Sequence, residues 1–155
     1  MKRFIVTGGY GFIGSNLIKL LLKKGFKVIN VDNMSYSAQL YNLKDVNKNN
    51  YIFKKIDINN KKEILTLLKS FKPDGIFNLA ADTHVDRSIE DSFNFIKNNI
   101  LGVYNLLEAL KENKRKVKLI HISTDEVYGD ISGNKRSDEN YPYIPSSPYS
   151  ASKAS

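Results

Sequence analysis

A tyrosine and a lysine near the end of the chain are spaced for joint chemistry. Tyr149 and Lys153 stand four residues apart in Tyr-Ser-Ala-Ser-Lys, so on a helix they share one face. A phenol has a pKa near ~10, too high for a base at neutral pH, but a neighbouring cation lowers that pKa by favouring the phenolate. The pair is a candidate general base with its activator, and an ordinary surface pair is the structural alternative.

A hydroxyl and two carboxyl groups follow the fifth strand that the sequence predicts. Thr124, Asp125 and Glu126 stand in Ser-Thr-Asp-Glu-Val-Tyr-Gly, where parallel sheets bind their ligands. Thr124 can hydrogen-bond a substrate hydroxyl, and two adjacent carboxyls in a partly dry site divide into one acid and one base. A regular strand would point the two carboxylates to opposite faces, so joint action requires the backbone to leave strand geometry. The structural alternative is an acidic loop that caps a turn.

A glycine-rich segment, Thr-Gly-Gly-Tyr-Gly-Phe-Ile-Gly at 7–14, joins the first predicted strand to the first predicted helix. Its glycines permit a tight turn and a close approach to a pyrophosphate, which the helix N-terminus stabilises. Asp32 closes the second predicted strand, where a carboxylate accepts hydrogen bonds from ribose hydroxyls and repels a 2′-phosphate. The context predicts NAD rather than NADP, and a glycine turn with a capping aspartate is the alternative. The residues expected to contact NAD are Gly8, Gly11, Phe12, Ile13 and Gly14.

Two further segments are candidates for cofactor contacts. Asp57 and Ile58 close the third predicted strand, where a side chain could meet the adenine, or Asp57 could cap the next helix. Leu79, Ala80 and Ala81 end the fourth predicted strand. These small residues would let a cofactor lie against the backbone, and packing against a helix explains them equally.

Short apolar runs alternate with helical patterns along the chain. Strands are predicted over 3–7, 27–31, 51–56, 75–80 and 117–123, and helices over 12–24, 61–71, 92–112 and 147–155, with a helical turn near 40–43. This alternation predicts an α/β fold with a Rossmann-like, doubly wound parallel sheet buried on both faces. The apolar positions predicted to be buried are Ile13, Leu17, Leu20 and Leu21 in the first helix and Phe93, Ile96, Ile100, Val103, Leu106, Leu107 and Leu110 in the long one.

The composition excludes several classes of protein. The 155 residues, 41% of them hydrophobic, suit one domain, and they contain neither a run long enough to span a membrane nor a signal peptide. The absence of Cys favours the cytoplasm, and two histidines are too few for a convincing metal site. The net charge of +8 comes mostly from scattered lysines before residue 80, which indicates a solvated surface rather than a nucleic-acid interface.

Taken together, the motifs resemble those of the extended short-chain dehydrogenase/reductases, and within them the dTDP-glucose 4,6-dehydratases. The matching segments keep the family's order from Lys2 to the last residue. They are TGGYGFIG, Asp32, Asp57-Ile58, LAADTHVDRSI, STDEVYGD and SPYSASKAS. STDEVYG is the discriminating segment, because related sugar-nucleotide 4-epimerases generally lack the Asp-Glu pair.

The resemblance implies a role for each catalytic candidate, with NAD retained as a prosthetic group. Tyr149 would take the proton of the glucose 4-hydroxyl, and Lys153 would hold the nicotinamide ribose and lower the tyrosine pKa. Thr124 would hydrogen-bond the 4-oxygen. Glu126 would remove the C5 proton and Asp125 would protonate the departing 6-hydroxyl. The implied substrate is dTDP-glucose, and the implied assembly is a homodimer.

Family members are roughly twice this length, so the resemblance implies an incomplete domain. We expect residues 1–155 to be an NAD-binding Rossmann domain truncated before its last strand or strands, without a C-terminal substrate domain. Such a chain is expected to be inactive alone and marginally stable. The alternatives are a UDP-glucose 4,6-dehydratase, a related epimerase or decarboxylase, and, from another class, a non-catalytic NAD-binding module.

Overall fold

The computed structural model describes residues 1–133 and 136–155, and these form two compact units. The first, which we call the sheet unit, comprises Met1–Ala80 and Gly102–Ile122. The second, the helical unit, comprises Ala81–Leu101 and Ser123–Ser155. No helix in the described ranges is both long and apolar enough to cross a membrane.

The sheet unit contains five parallel strands. They are β1 Arg3–Thr7, β2 Lys27–Asp32, β3 Tyr51–Lys55, β4 Gly75–Asn78 and β5 Lys118–His121. Their order is β3-β2-β1-β4-β5, and Ile5 of β1 lies opposite Ile29 of β2 and Ile76 of β4. The chain crosses over after β3 and continues on the other side of β1, as in doubly wound sheets. The predicted Rossmann-like fold is confirmed.

Six helices accompany the strands in the described ranges. They are α1 Phe12–Lys23, α2 Lys61–Phe71, α3 Val85–Glu90, α4 Ser92–Phe95, α5 Gly102–Glu112 and α6 Pro148–Ala154, with 3₁₀ turns at Leu40–Leu43 and Asp125–Tyr128 and a π-helical segment at Ile96–Leu101. The predicted helix over 61–71 and the turn over 40–43 are confirmed. Helix α3 and the turn at Asp125–Tyr128 lie in segments for which the sequence predicted no helix.

The sheet unit has a core on each face of its sheet, because successive strand side chains point to opposite sides. Ile5 lies in one core with α2 and α5, whose Leu68 and Leu106 are almost fully buried. Val6 lies in the other with Ile18 of α1. The strand β5 is at the edge of the sheet, and its Ile120 and the following Ile122 are exposed.

The predicted buried face of α1 is correct for Leu21 and wrong for Ile13 and Leu20. Gly14, Ser15, Ile18 and Leu21 are buried, whereas Ile13 is 62% exposed and Leu20 is 51% exposed. The reason is Gly14, whose missing side chain lets the helix approach the glycine-rich loop. The small residues therefore decide which face turns inward, rather than the largest apolar ones.

The chain is helical throughout the predicted 92–112, with a π-helical segment within it, but most of the predicted buried positions are not buried. Phe93 is 67% exposed and Leu107 is 48% exposed, Ile96 is exposed as well, and of the predicted set Leu106 alone is fully buried. The π-helical segment adds a residue to the turn and shifts the phase of the helix faces. One helical period therefore cannot describe the whole segment.

Candidate functional site

The glycine-rich loop lies directly against the end of β4 in the sheet unit. Gly8 has φ +65°, and its N–H donates to the Val31 carbonyl at 2.9 Å. A Cβ at Gly8 would stand 2.9 Å from the backbone of Leu79 and of Ala80. Only glycine therefore suits this position, for its left-handed φ and for the close backbone approach.

The N-terminus of α1 is left open for an anion. Gly11 caps the helix without a side-chain hydrogen bond, and its carbonyl accepts the Ser15 N–H at 3.0 Å. The N–H groups of the three residues between them have no partner within the helix. Two of these residues, Phe12 and Ile13, are exposed, and a Cβ on the third, Gly14, would collide with the Gly8 carbonyl. The loop is thus a backbone cradle of the kind that fits a pyrophosphate.

Asp32 holds the loop in place as well as offering a carboxylate. It is 7% exposed, and its two oxygens accept the N–H of Tyr10 at 3.0 Å and that of Met34 at 2.9 Å. Each carboxylate oxygen retains further acceptor capacity for a ribose hydroxyl. The sequence predicts either a ribose contact or a capping role for Asp32, and the structure shows that Asp32 accepts a hydrogen bond from the glycine-rich loop.

A buried polar network, which the sequence analysis missed, shapes the end of β4. Thr7 is fully buried, and its hydroxyl accepts the N–H groups of Leu79 and Ala80 at 3.2 and 3.1 Å and donates to Asn78 Oδ1 at 2.5 Å. Asn78 Nδ2 lies 2.9 Å from Nδ1 of His121 in β5. One feature of the sequence could have revealed this network: each of three apolar strands ends in a polar residue.

The other candidates at this edge of the sheet unit are the half-buried Asp57 and the buried Ile58. The α2 N-cap is Asn60, which accepts the Glu63 N–H, so the alternative of Asp57 as the helix cap is wrong. Asp57 instead accepts the N–H of Asn59 in a tight turn. Ile58 is buried, and a Cβ on Gly102 would stand 2.7 Å from it. Their contact with adenine stays a prediction.

In the helical unit, Thr124 connects the acidic pair to the tyrosine. It caps the 3₁₀ turn Asp125–Tyr128, and its hydroxyl accepts the Glu126 N–H at 3.3 Å and lies 3.3 Å from Asp125 Oδ1. The backbone therefore leaves strand geometry at this point, as joint action of the two carboxylates requires. Thr124 also forms a side-chain hydrogen bond with Tyr149.

Tyr149 and Lys153 lie on α6, as predicted, and both are displaced from their ordinary pKa values. Burial raises the pKa of Tyr149, the hydrogen bond from Thr124 lowers it, and the carboxylates of Glu126 and Asp125 raise it. Burial lowers the pKa of the Lys153 ammonium. Tyr149 thus holds its proton more firmly in this chain than a free phenol does.

The predicted residues therefore fall into two sets. The sheet unit holds the expected cofactor contacts Gly8, Gly11, Phe12, Ile13, Gly14, Asp32, Asp57, Ile58, Leu79 and Ala80. The helical unit holds Ala81, Thr124, Asp125, Glu126, Tyr149 and Lys153. Within the second set the structure joins Thr124 to Asp125, Glu126 and Tyr149 through hydrogen bonds.

Two buried side chains of the helical unit that the sequence analysis did not assign, Ser88 and Asn99, hold α6. Ser88 Oγ accepts the Tyr149 N–H at 3.1 Å. Asn99, in the π-helical segment, donates to Ser152 Oγ and to the Asp82 carbonyl, both at 2.9 Å, and accepts the Asp82 N–H. No local pattern marks these residues, because their partners lie far away along the chain.

Comparisons with known proteins show several relatives of the chain. The family model for GDP-mannose 4,6-dehydratase matches residues 5–155. The chain is 43% identical to a dTDP-glucose 4,6-dehydratase of Neisseria meningitidis, covering 100% of this chain and 47% of that protein. It is 44% identical to one of Haemophilus influenzae, covering 99% and 49%. The chain thus spans about half the length of the relatives it matches.

Solved structures of two enzyme types are similar to the chain. A dTDP-glucose 4,6-dehydratase of Streptomyces venezuelae with NAD bound has a TM-score of 0.90 at 36% identity, covering 98% of this chain and 48% of that one. A UDP-glucose 4-epimerase of Thermus thermophilus in complex with NAD has a TM-score of 0.87 at 36% identity, covering 98% and 47%. Overall similarity alone therefore does not separate dehydratases from epimerases.

Proposed function

Because the chain belongs to the GDP-mannose 4,6-dehydratase family, we propose that it is the NAD-binding part of a nucleotide-sugar 4,6-dehydratase. The proposed reaction converts dTDP-glucose to dTDP-4-keto-6-deoxyglucose. One observation carries the choice of reaction: Thr124 hydrogen-bonds both the phenol of Tyr149 and the turn that holds Asp125 and Glu126. This supports a proposal in which a base for oxidation and an acid–base pair for elimination are linked through one threonine.

The sheet unit supplies the residues that would hold NAD. The open N-terminus of α1 and the close-packed Gly8 and Gly14 suit the pyrophosphate, and Asp32 suits the adenosine ribose. In the helical unit, Lys153 is the residue proposed to hold the nicotinamide ribose. When bound, NAD would accept hydride from sugar C4 and return it at C6.

The residues of the helical unit divide the proton transfers. Tyr149 would take the proton of the 4-hydroxyl as C4 is oxidised, while Thr124 hydrogen-bonds the same oxygen. The resulting ketone acidifies the C5 proton, which Glu126 would remove. Asp125 would donate the proton with which the 6-hydroxyl leaves as water. Two adjacent carboxyls suit this division, since one must be protonated while the other is ionised.

The direct test is to incubate the protein, as its gene encodes it, with dTDP-glucose and to identify the product by NMR. We expect a 4-keto-6-deoxy sugar with no net consumption of NAD. UDP-glucose is the control substrate, because it carries the same sugar on a different nucleotide. Turnover of UDP-glucose alone would favour the UDP-type dehydratase. Interconversion of UDP-glucose and UDP-galactose without loss of water would favour an epimerase. An epimerase is the second candidate because the chain is also similar to epimerase structures.

Asp32→Ala is expected to weaken NAD binding by about 10- to 100-fold, because a hydrogen bond to a charged group contributes about 1.5–3 kcal/mol. The loss should be equal for NAD and for ADP-ribose, since both carry the adenosine ribose. Isothermal titration measures both affinities, with the exposed Asp45→Ala as the control variant. An unchanged NAD affinity in Asp32→Ala would remove Asp32 from the cofactor site.

We also propose that the protein is a cytoplasmic homodimer. Large apolar side chains stay exposed on α5, among them Tyr104 and Leu107, and a second copy could bury them. Leu107→Glu is expected to weaken the dimer by at least ~10-fold, because it would place a charge in an apolar interface. Analytical ultracentrifugation measures the association, with the exposed Glu112→Gln as the control variant. A monomeric wild-type protein at micromolar concentration would contradict the proposal.

A further inference from the structure

The backbone N–H of Tyr149 is satisfied by a side chain from another helix. It lies in the first turn of α6, where no carbonyl of the same helix can accept it. The N–H donates to Ser88 Oγ at 3.1 Å, and Ser88 is fully buried in α3. The same hydroxyl donates to the Val85 carbonyl at 2.6 Å, so its proton is directed away from Tyr149 and a lone pair faces the amide.

The cap of α6 does not serve this amide. Ser147 Oγ accepts the Ser150 N–H at 3.0 Å, and the Ser147 carbonyl accepts the Ala151 N–H at 2.8 Å. Pro148 has no N–H. Among the first residues of the helix, the Tyr149 amide is the one that needs an outside acceptor, and Ser88 provides it.

The peptide groups of Tyr149 are bound on both sides. Ser152 Oγ donates to the Tyr149 carbonyl at 2.7 Å, and Asn99 Nδ2 lies 2.9 Å from that Ser152 oxygen. The Tyr149 ring meets Phe95 edge-on, with ring centres 6.3 Å apart. A helix of seven residues is too short to hold its own geometry, so these contacts determine where the Tyr149 backbone lies.

We propose that Ser88 is a positioning residue for Tyr149. Its hydroxyl fixes the Tyr149 backbone so that the phenol meets the Thr124 hydroxyl, and it does so without touching the substrate itself. The inference rests on the proposed function, in which the Tyr149 phenol is the base of the oxidation step. It goes beyond that function by assigning the alignment of the base to a hydroxyl on α3.

The test compares Ser88→Ala, which removes the hydroxyl, with Ser88→Thr, which keeps it, in the protein as its gene encodes it. Misplacement by about 1 Å can cost ~10²-fold in rate, so we expect kcat to fall by about that factor in Ser88→Ala. The KM for dTDP-glucose should change by less than ~3-fold, and Ser88→Thr should recover most of kcat. Ser70→Ala, which removes a hydroxyl bound to the Leu67 carbonyl in α2, is the control.

A second readout follows the base directly and needs no turnover. Burial raises the pKa of Tyr149 and the Thr124 hydrogen bond lowers it, so a displaced phenol should titrate at a different pH in Ser88→Ala. NMR of ¹³C-labelled tyrosine, without substrate, measures that pKa. If the wild-type protein does not convert dTDP-glucose, the proposed function fails, yet this titration still tests Ser88. An unchanged Tyr149 pKa together with an unchanged kcat in Ser88→Ala overturns the inference.

Amide exchange in the wild-type protein keeps the proposal testable even if a Ser88 variant does not fold. A hydrogen-bonded Tyr149 N–H should exchange with deuterium at least ~10-fold more slowly than the same amide in an unfolded peptide of 145–155. Exchange at the unprotected rate would mean that Ser88 does not hold this amide, and the assignment would be wrong.

Discussion

Glu126→Gln is expected to stop the elimination of water while leaving the oxidation at C4 intact. The ketone formed at C4 makes the C5 proton acidic, but an amide cannot accept it at neutral pH. General-base catalysis is worth about 10²–10⁴-fold, so we expect the overall rate of dehydration to fall by that factor. Exchange of the C5 proton with solvent deuterium, followed by NMR, measures the step directly.

The same variant allows a second measurement, that of the Tyr149 pKa, which is expected to change independently of the dehydration rate. The Glu126 carboxylate raises the pKa of Tyr149, so its removal should lower that pKa and should not slow the oxidation step. The exposed Asp130→Asn, on the same loop, is the matched control and should leave C5 exchange at the wild-type rate. C5 exchange at the wild-type rate in Glu126→Gln would exclude Glu126 as the base.

Gly14→Ala is expected to weaken NAD binding by at least ~100-fold. A Cβ at this position would collide with the Gly8 carbonyl and stand 2.8 Å from Gly9 Cα. Both obstacles are backbone atoms, so relief requires the loop to move away from α1, and the cradle for the pyrophosphate opens. Isothermal titration with NAD and with pyrophosphate should show the same proportional loss, because both depend on this cradle.

Gly25→Ala, at the other end of α1, is the control for this substitution. No atom lies within 4 Å of a Cβ there, but φ is +76°, so the variant should lose about 1 kcal/mol of stability through backbone strain. Its NAD affinity should stay that of the wild type. If Gly14→Ala bound NAD with wild-type affinity, the glycine-rich loop would not be the pyrophosphate site.

The elements of the sheet unit could be predicted because their signals are local. Strand β1 and helix α2 match the predicted residues 3–7 and 61–71, since apolar runs and helical periods are set by neighbours a few positions away. The glycine-rich motif is local as well, because a strand, a tight turn and a helix follow one another without interruption. The pairing of Tyr149 with Lys153 on α6 depends in the same way on a spacing of four.

Only the tertiary structure decided which faces are buried and which polar groups bind each other. Thr7 and Asn78 are 71 positions apart, and Ser88 and Tyr149 are 61 apart, so no window along the chain contains both partners. The π-helical segment shifts the faces of the long helix, and Gly14 turns α1 toward the loop, although neither effect alters the apolar pattern. Periodicity determines that a helix forms, whereas packing and the need to satisfy each buried hydrogen-bonding group determine how it lies.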